Sequence, residues 1–213
     1  MEHNSSLNLK FEILPQDQKL LLQKFKESSW LKNFYLARGT ALALHFGHRQ
    51  SVDFDFFSPM DFINSDIIHF LIDFGKFELF DQSKNAVNGS INGVKISFLG
   101  YKYKMLEKPF EDKYFNIAQV RDIASMKIEA ISNRGNKRDF VDFYFILNQY
   151  PLAEMLNDHL VKYGESYHNK YHIVKSLLYF DDAEDQPMPL MIEKIEWPQI
   201  KKKIIEEVKK IKL

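Results

Sequence analysis

The stretch Leu36-Ala37-Arg38-Gly39-Thr40-Ala41-Leu42-Ala43-Leu44-His45-Phe46-Gly47-His48-Arg49-Gln50-Ser51-Val52-Asp53-Phe54-Asp55-Phe56-Phe57 ends with two acids bracketed by apolar residues. In a strand, successive side chains leave opposite faces, so Asp53 and Asp55 emerge together while Phe54 and Phe56 enter a core. Two adjacent carboxylates repel unless a cation lies between them. Their hard oxygens suit Mg²⁺ or Mn²⁺, and Mg²⁺ characteristically binds through one or two carboxylates together with waters and substrate phosphates. Asp53 and Asp55 are therefore the candidate metal ligands.

Upstream, Asn33 to Leu36 reads as a short apolar strand, Gly39-Thr40 as a tight turn, and Ala41 to Phe46 as a helix closed by Gly47. A small turn before a helix start is an anion site, because free backbone N–H groups and the helix dipole point at an incoming phosphate. Thr40 is expected to add a hydroxyl there, and Ser51 shares the strand face of the two acids. Strand, phosphate-binding turn, helix and a strand bearing Asp-x-Asp follow one another as in the nucleotidyltransferase superfamily, which this region resembles.

More narrowly, the run from Gly39 to Phe57 resembles the AbiEii/AbiGii toxin family of nucleotidyltransferases. Two later segments agree: Asp122 to Tyr144 resembles that family's lysine and aspartate motifs, and Tyr179-Phe180-Asp181-Asp182-Ala183-Glu184 resembles its C-terminal signature. The resemblance implies an enzyme, a transferase that uses Mg²⁺ to join a nucleoside monophosphate from a bound NTP to an acceptor. It further implies RNA, such as a tRNA end, as acceptor, and a role as the toxin of a toxin-antitoxin or phage-defence module with a cognate antitoxin. In the same terms Gly39 and Thr40 hold phosphates, and Lys127 neutralises the triphosphate. In this superfamily a third carboxylate commonly comes from the neighbouring strand, where this chain has Ser97. Either a helical acid such as Asp142 completes the site, or the protein binds nucleotide or a partner with little turnover; a small-molecule nucleotidyltransferase of the antibiotic-modifying kind is a further alternative.

With 213 residues and 45% hydrophobic content the chain can bury a substantial core. It is expected to be α+β: a nucleotidyltransferase-like core with a mixed sheet over residues 1–115 and a helical part over 116–213 that completes the active site, together one compact unit. Zero cysteines exclude disulfides, thiol nucleophiles and thiolate zinc sites. Met1 to Ser6 carries no basic-then-apolar signal pattern and no apolar run approaches a membrane span, so a cytoplasmic protein without membrane contact is expected. Basic and acidic residues balance at 29 each, so any nucleic-acid contact must come from local patches.

Periodicity predicts helices over Asp17 to Ser28, Ser65 to Phe74, Asp122 to Arg134, Lys137 to Gln149, Tyr167 to Tyr179 and Trp197 to Lys212. Strands are expected at Phe77 to Asp81, Ala86 to Ile91 and Val94 to Leu99, with Asn88-Gly89 and Asn92-Gly93 as turn signals. Lys127 lies among apolar helix neighbours, where a buried amine needs an anionic partner: a triphosphate, or Asp139 or Asp142 internally. Arg134, Lys137 and Arg138 form a cationic cluster suited to phosphates, of which Arg134 and Arg138 are the candidate nucleotide contacts. Of the two acids that follow, Asp139 stands where a helix cap is natural, so Asp142 is the expected catalytic acid.

Overall fold

The computed structural model describes residues 8–25, 28, 30–112 and 115–212. Alternation works as the sequence demands in β2 (Asp53–Ser58): Phe54 and Phe56 are fully buried, while Asp53 and Asp55 on the other face are half-buried. β2 is central in a seven-stranded mixed sheet with β1 (Tyr35–Leu36), β3 (Phe77–Ser83), β4 (Ala86–Ile91), β5 (Val94–Gly100), β6 (Phe110–Glu111) and β7 (Asn116–Ile117). The order across the sheet is β3-β4-β5-β2-β1-β7-β6. β2 runs parallel to β5, which sets Asp55 beside Ser97, and antiparallel to β1.

The Phe56 side of the sheet is an aromatic core. Phe56 stacks on Phe98 at 5.2 Å and meets Phe115 edge-on at 5.3 Å, and Phe25 of α1 (Gln16–Phe25) closes over it. Each such ring removes enough apolar surface from water to stabilise the fold by about 1.5–3 kcal/mol. α2 (Arg38–Phe46) follows β1, and α3 (Asn64–Ile72) follows β2. The helical half comprises α4 (Val120–Arg134), α5 (Lys137–Leu147), α6 (Leu152–Tyr163), α7 (Lys170–Leu177), α8 (Asp181–Glu184) and α9 (Trp197–Val208). Leu42, Ile128 and Phe143 belong to the same apolar core as the sheet aromatics. Behind it, Lys162 of α6 reaches Asp122 of α4 at 2.6 Å with both side chains wholly buried, and Asp122 also accepts from the backbone N–H groups of Leu106 and Glu107.

Several elements differ from the sequence pattern. α2 begins at Arg38, so Gly39 and Thr40 lie in its first turn rather than in a turn before it; the sharp change of direction is at Arg38, whose φ of 59° is left-handed. Asn88-Gly89 is interior to β4, because the β3–β4 turn falls at Lys84-Asn85, where Asn85 takes φ 56°. Asn92-Gly93 does turn the chain, with φ of 51° and 86°. Ser65 caps nothing, since α3 starts one residue earlier. α6 has no counterpart among the expected helices, and α5, α7 and α9 stop short of Gln149, Tyr179 and Lys212. Of the helix expected over Asp17 to Ser28, residues 26 and 27 lie outside the described residues, as does the segment Met1 to Ser6.

Gly93 occupies a left-handed position on an open surface, where a Cβ meets no neighbour and only backbone strain opposes it. Gly93→Ala is expected to lower stability by about 1–2 kcal/mol in urea titration, with nucleotide binding unaltered.

Candidate active site

Asp53 and Asp55 open into a cleft of about 490 Å³. Three parts of the chain wall it: Arg38 and Gly39 from the first turn of α2, Arg49 to Ser51 from the loop entering β2, and Lys127, Arg134, Arg138 and Asp139 from α4 and α5. Pro187 to Leu190 form its apolar rim, tied down where the Gln50 N–H donates to the Leu190 carbonyl at 2.8 Å. The left-handed backbone at Arg38 is uncommon for a residue with a Cβ, and it carries the guanidinium to within 3.6 Å of Asp55 and 5.0 Å above the Phe57 ring. Ala37 gives α2 no side-chain cap, so the first N–H groups of the helix remain available to an anion.

The acid pair is under-satisfied. Asp53 Oδ1 is buried without a hydrogen-bond partner, an arrangement that is costly for a carboxylate oxygen. Burial pushes the Asp55 carboxyl above the usual range, and Asp53 adds to the rise while Arg38, Lys127 and Arg134 oppose it. An orphaned carboxylate oxygen beside a second acid is what a hard divalent cation requires. The two aspartates therefore fit Mg²⁺ with the remaining positions left to water and phosphate, although among the described residues no three acids or histidines converge on one point. Ser97, in register with Asp55, offers only a neutral oxygen.

Beside the acids lies a buried ionic hub. Asp142 is inaccessible to solvent. Arg49 binds it through both oxygens, Nε to Oδ1 at 2.7 Å and Nη2 to Oδ2 at 2.8 Å; His48 Nε2 donates to Oδ1 at 2.8 Å, and Lys127 Nζ to Oδ2 at 2.5 Å. Lys127 also donates to Asp139 at 2.9 Å, and Arg134 Nε to the other oxygen of Asp139 at 2.9 Å. Burial opposes ionisation of both acids, yet Lys127 with Arg49 holds Asp142 well below the usual carboxylate range, and Lys127 with Arg134 holds Asp139 below it.

The sequence-derived candidates thus separate into two shells around the cleft. Gly39, Ser51, Asp53, Asp55, Lys127, Arg134 and Arg138 line it, and among the described residues no acid pairs with Arg138. Thr40 does not line it: its hydroxyl is buried, donates to the Asp53 carbonyl and lies 2.8 Å from Ser51 Oγ, so it braces the loop and not a phosphate. Asp142 does not reach the cleft: it is wholly buried behind it, held by His48, Arg49 and Lys127. Asp139 does reach it, and is no helix cap; its carboxylate is held by Lys127 and Arg134. Arg38, Arg49 and Asp139 were not among the expected site residues. Gly39 depends on Arg49: a Cβ there would stand 2.7 Å from the Arg49 Nη2.

Comparison with known proteins agrees with this geometry. The family model described as nucleotidyl transferase AbiEii toxin, type IV TA system, matches residues 19–113 and 97–211. The uncharacterized protein aq_aa25 of Aquifex aeolicus (strain VF5) is 38% identical over 179 residues, covering 81% of this chain and 86% of that protein. Among solved structures, JHP933 from Helicobacter pylori superposes with a TM-score of 0.58 at 14% identity, covering 94% of this chain and 92% of that one. MenT4, the nucleotidyltransferase toxin Rv2826c of Mycobacterium tuberculosis H37Rv, does so with a TM-score of 0.58 at 12% identity, over 90% and 80%. These two likenesses are of fold. With both halves of the chain covered by one family model, and an acid pair, an open helix start and a cationic wall in one cleft, the protein belongs to the AbiEii family of nucleotidyltransferase toxins.

Proposed function

We propose that the cleft transfers a nucleoside monophosphate from an NTP to the end of an RNA, with Mg²⁺ or Mn²⁺ held by Asp53 and Asp55. The observation that carries the reading is the pair Asp53 and Asp55 on the wall of a cationic cleft at an uncapped helix start, with one Asp53 oxygen unpartnered among the described residues. The bond from the acceptor hydroxyl oxygen to the α-phosphorus forms as the bond between the α-phosphorus and the bridging oxygen breaks; the hydroxyl proton passes to solvent and pyrophosphate leaves. Such a step relies on positioning and charge neutralisation more than on covalent catalysis. The metal, when bound, offsets the charge developing on the phosphoryl oxygens. The N–H groups at Gly39, the Ser51 hydroxyl and Arg138 bind the β- and γ-phosphates, and Arg49, held by Asp142, adds positive charge beside them. Lys127 and Arg134 carry positive charge along the triphosphate, and Arg38 lies against Asp55 where the α-phosphate would pass. Asp142 acts by positioning Arg49 and Lys127.

In the cell the proposed setting is the cytoplasm, where NTPs and RNA are found, with a cognate antitoxin limiting the activity in a toxin-antitoxin or phage-defence module. No helix among the described residues is long and apolar enough to cross a membrane. Incubation with each labelled NTP, Mg²⁺ and total cellular RNA tests the reading. Labelled RNA is expected; a labelled small molecule instead would favour the antibiotic-modifying type, and no product across all NTPs would reduce the protein to a nucleotide binder.

Asp53→Asn and Asp55→Asn are each expected to abolish transfer while leaving thermal stability in metal-free buffer unchanged or slightly raised, since carboxylate repulsion is relieved. Near-native transfer by either variant would remove the metal assignment. Ser97→Ala should be mild by comparison, since it deletes only a neutral oxygen.

Asp142→Asn leaves Arg49 and Lys127 buried against a neutral amide, a change expected to cost about 3–5 kcal/mol of stability and to reduce transfer severely. The hub also sets an acid limit. Asp139 and Asp142 bind protons less readily folded than unfolded, so their stabilisation is complete above the unfolded carboxyl value of about 3.9 and is lost as pH falls toward the lower folded values. Urea titrations across this acid range should show stability dropping for the unmodified protein, with a shallower slope for Asp142→Asn.

A further inference from the structure

A second cavity, of about 220 Å³, adjoins the cleft, and Arg38, Lys127, Arg134 and Asp139 bound both. Its remaining walls differ in chemistry from those of the cleft. Tyr101 and Tyr163 form one side, Met126 and Ala130 of α4 the other, with Glu129 and Asn133 as the polar groups. The tyrosine wall is held firmly: the two hydroxyls hydrogen-bond at 2.5 Å, Tyr101 packs edge-on against Phe57 at 5.3 Å, and Tyr163 packs against Tyr103 at 4.7 Å. Glu129 is fixed by His159 Nε2 at 3.2 Å and by the Asn133 amide at 2.8 Å.

We infer that this cavity seats the terminal nucleoside of the acceptor, a nucleoside ending in a free hydroxyl; the inference rests on the transferase reading above. The attacking and leaving oxygens stand roughly in line across the phosphorus. The groups suited to a departing pyrophosphate, Gly39, Arg49, Ser51 and Arg138, all belong to the cleft and none to the second cavity. The attacking hydroxyl must then arrive from the side away from those groups. The second cavity meets the cleft at Arg38, Lys127, Arg134 and Asp139, contains none of the groups suited to pyrophosphate, and offers that approach. Aromatic rings, a thioether and a methyl group receive the flat face of an unstacked base, as aromatic side chains do for single-stranded RNA ends. The three cations on its wall, Arg38, Lys127 and Arg134, are already paired with Asp55, Asp139 and Asp142, so the added charge of Glu129 favours a hydroxyl end over a phosphorylated one.

The test uses Ala130→Trp, which fills the second cavity from a half-buried helix position outside the cleft, and Asn133→Trp, which blocks its mouth from an exposed position with little consequence for folding. For both, NTP affinity measured calorimetrically with Mg²⁺ should stay within about twofold of the unmodified protein, while KM for a short RNA ending in a 3′-hydroxyl rises by about tenfold or more. An RNA ending in a 3′-phosphate should compete poorly with the unmodified protein and better with Glu129→Gln. Loss of NTP affinity with unchanged KM for RNA would assign the cavity to the NTP base and overturn the inference. Native transfer by both variants would overturn it as well. Failure of the transferase reading itself appears separately, as an unmodified protein that labels no acceptor.

Discussion

The carboxylate of Asp142 has no exposed surface and is gripped by three basic side chains, His48 and Arg49 from the loop entering β2 and Lys127 from α4. A lone carboxylate in such a place would cost several kcal/mol in lost hydration, so the three partners are a condition of burying it. The pairing has mechanical consequences. The loop from Gly47 to Val52 cannot shift without disturbing α4 and α5, and the bidentate grip fixes the Arg49 guanidinium where only a glycine fits opposite, at Gly39. Gly39 in turn is the second residue of α2, whose left-handed entry at Arg38 aims the next cation at Asp55. One buried charge thus sets the relative positions of the sheet half and the helical half around the cleft.

This arrangement also decides which charges are free for a substrate. Lys127 is shared between Asp139 and Asp142, Arg49 is committed to Asp142, and Arg134 to Asp139, whereas Arg138 has no acidic partner among the described residues. Several of the cations facing the cleft are therefore already balanced before a triphosphate arrives. In the proposed reaction the remaining neutralisation falls to Arg138, to the open N–H groups at the start of α2 and to the divalent ion on Asp53 and Asp55. That dependence matches the buried, unpartnered oxygen of Asp53, which has nothing else to bind.

The central strand was legible in the sequence because its period-two pattern has one solution: Phe54 and Phe56 inward, Asp53 and Asp55 outward. The Asn92-Gly93 turn was legible for a similar reason, both residues tolerating φ above zero. Asn88-Gly89 misled because the same dipeptide also fits inside a strand, and the real turn was made by Asn85. α6 has no counterpart in the expected pattern although Leu152, Met155, Leu156, His159 and Tyr163 follow helical spacing; Pro151, which ends one helical run, also stands at the start of the next. At the site, the sequence pointed by pattern and family resemblance together to Asp53, Asp55, Gly39 and Lys127, all of which line the cleft. It could not tell Asp139 from Asp142, because both share one helix and only long-range partners, Arg49 and His48 more than ninety residues away, draw Asp142 inward. Arg38 carried no signal, since its role comes from a backbone conformation that an arginine rarely adopts.

Ser97 takes on a different meaning beside Arg38. In register with Asp55, a carboxylate at that position would add a third negative charge to a pair in which burial already disfavours the ionised form of Asp55. The nearest counter-charge is Arg38, at 3.6 Å and partly exposed to water. Its attraction is therefore weakened by solvent, and one such arginine does not offset two added repulsions. A neutral hydroxyl at Ser97 avoids the conflict and adds nothing to the upward push on the Asp55 carboxyl. In the proposed reaction the site then has one fewer anionic ligand for a divalent ion, and more of that ion's coordination would fall to the substrate's own phosphates.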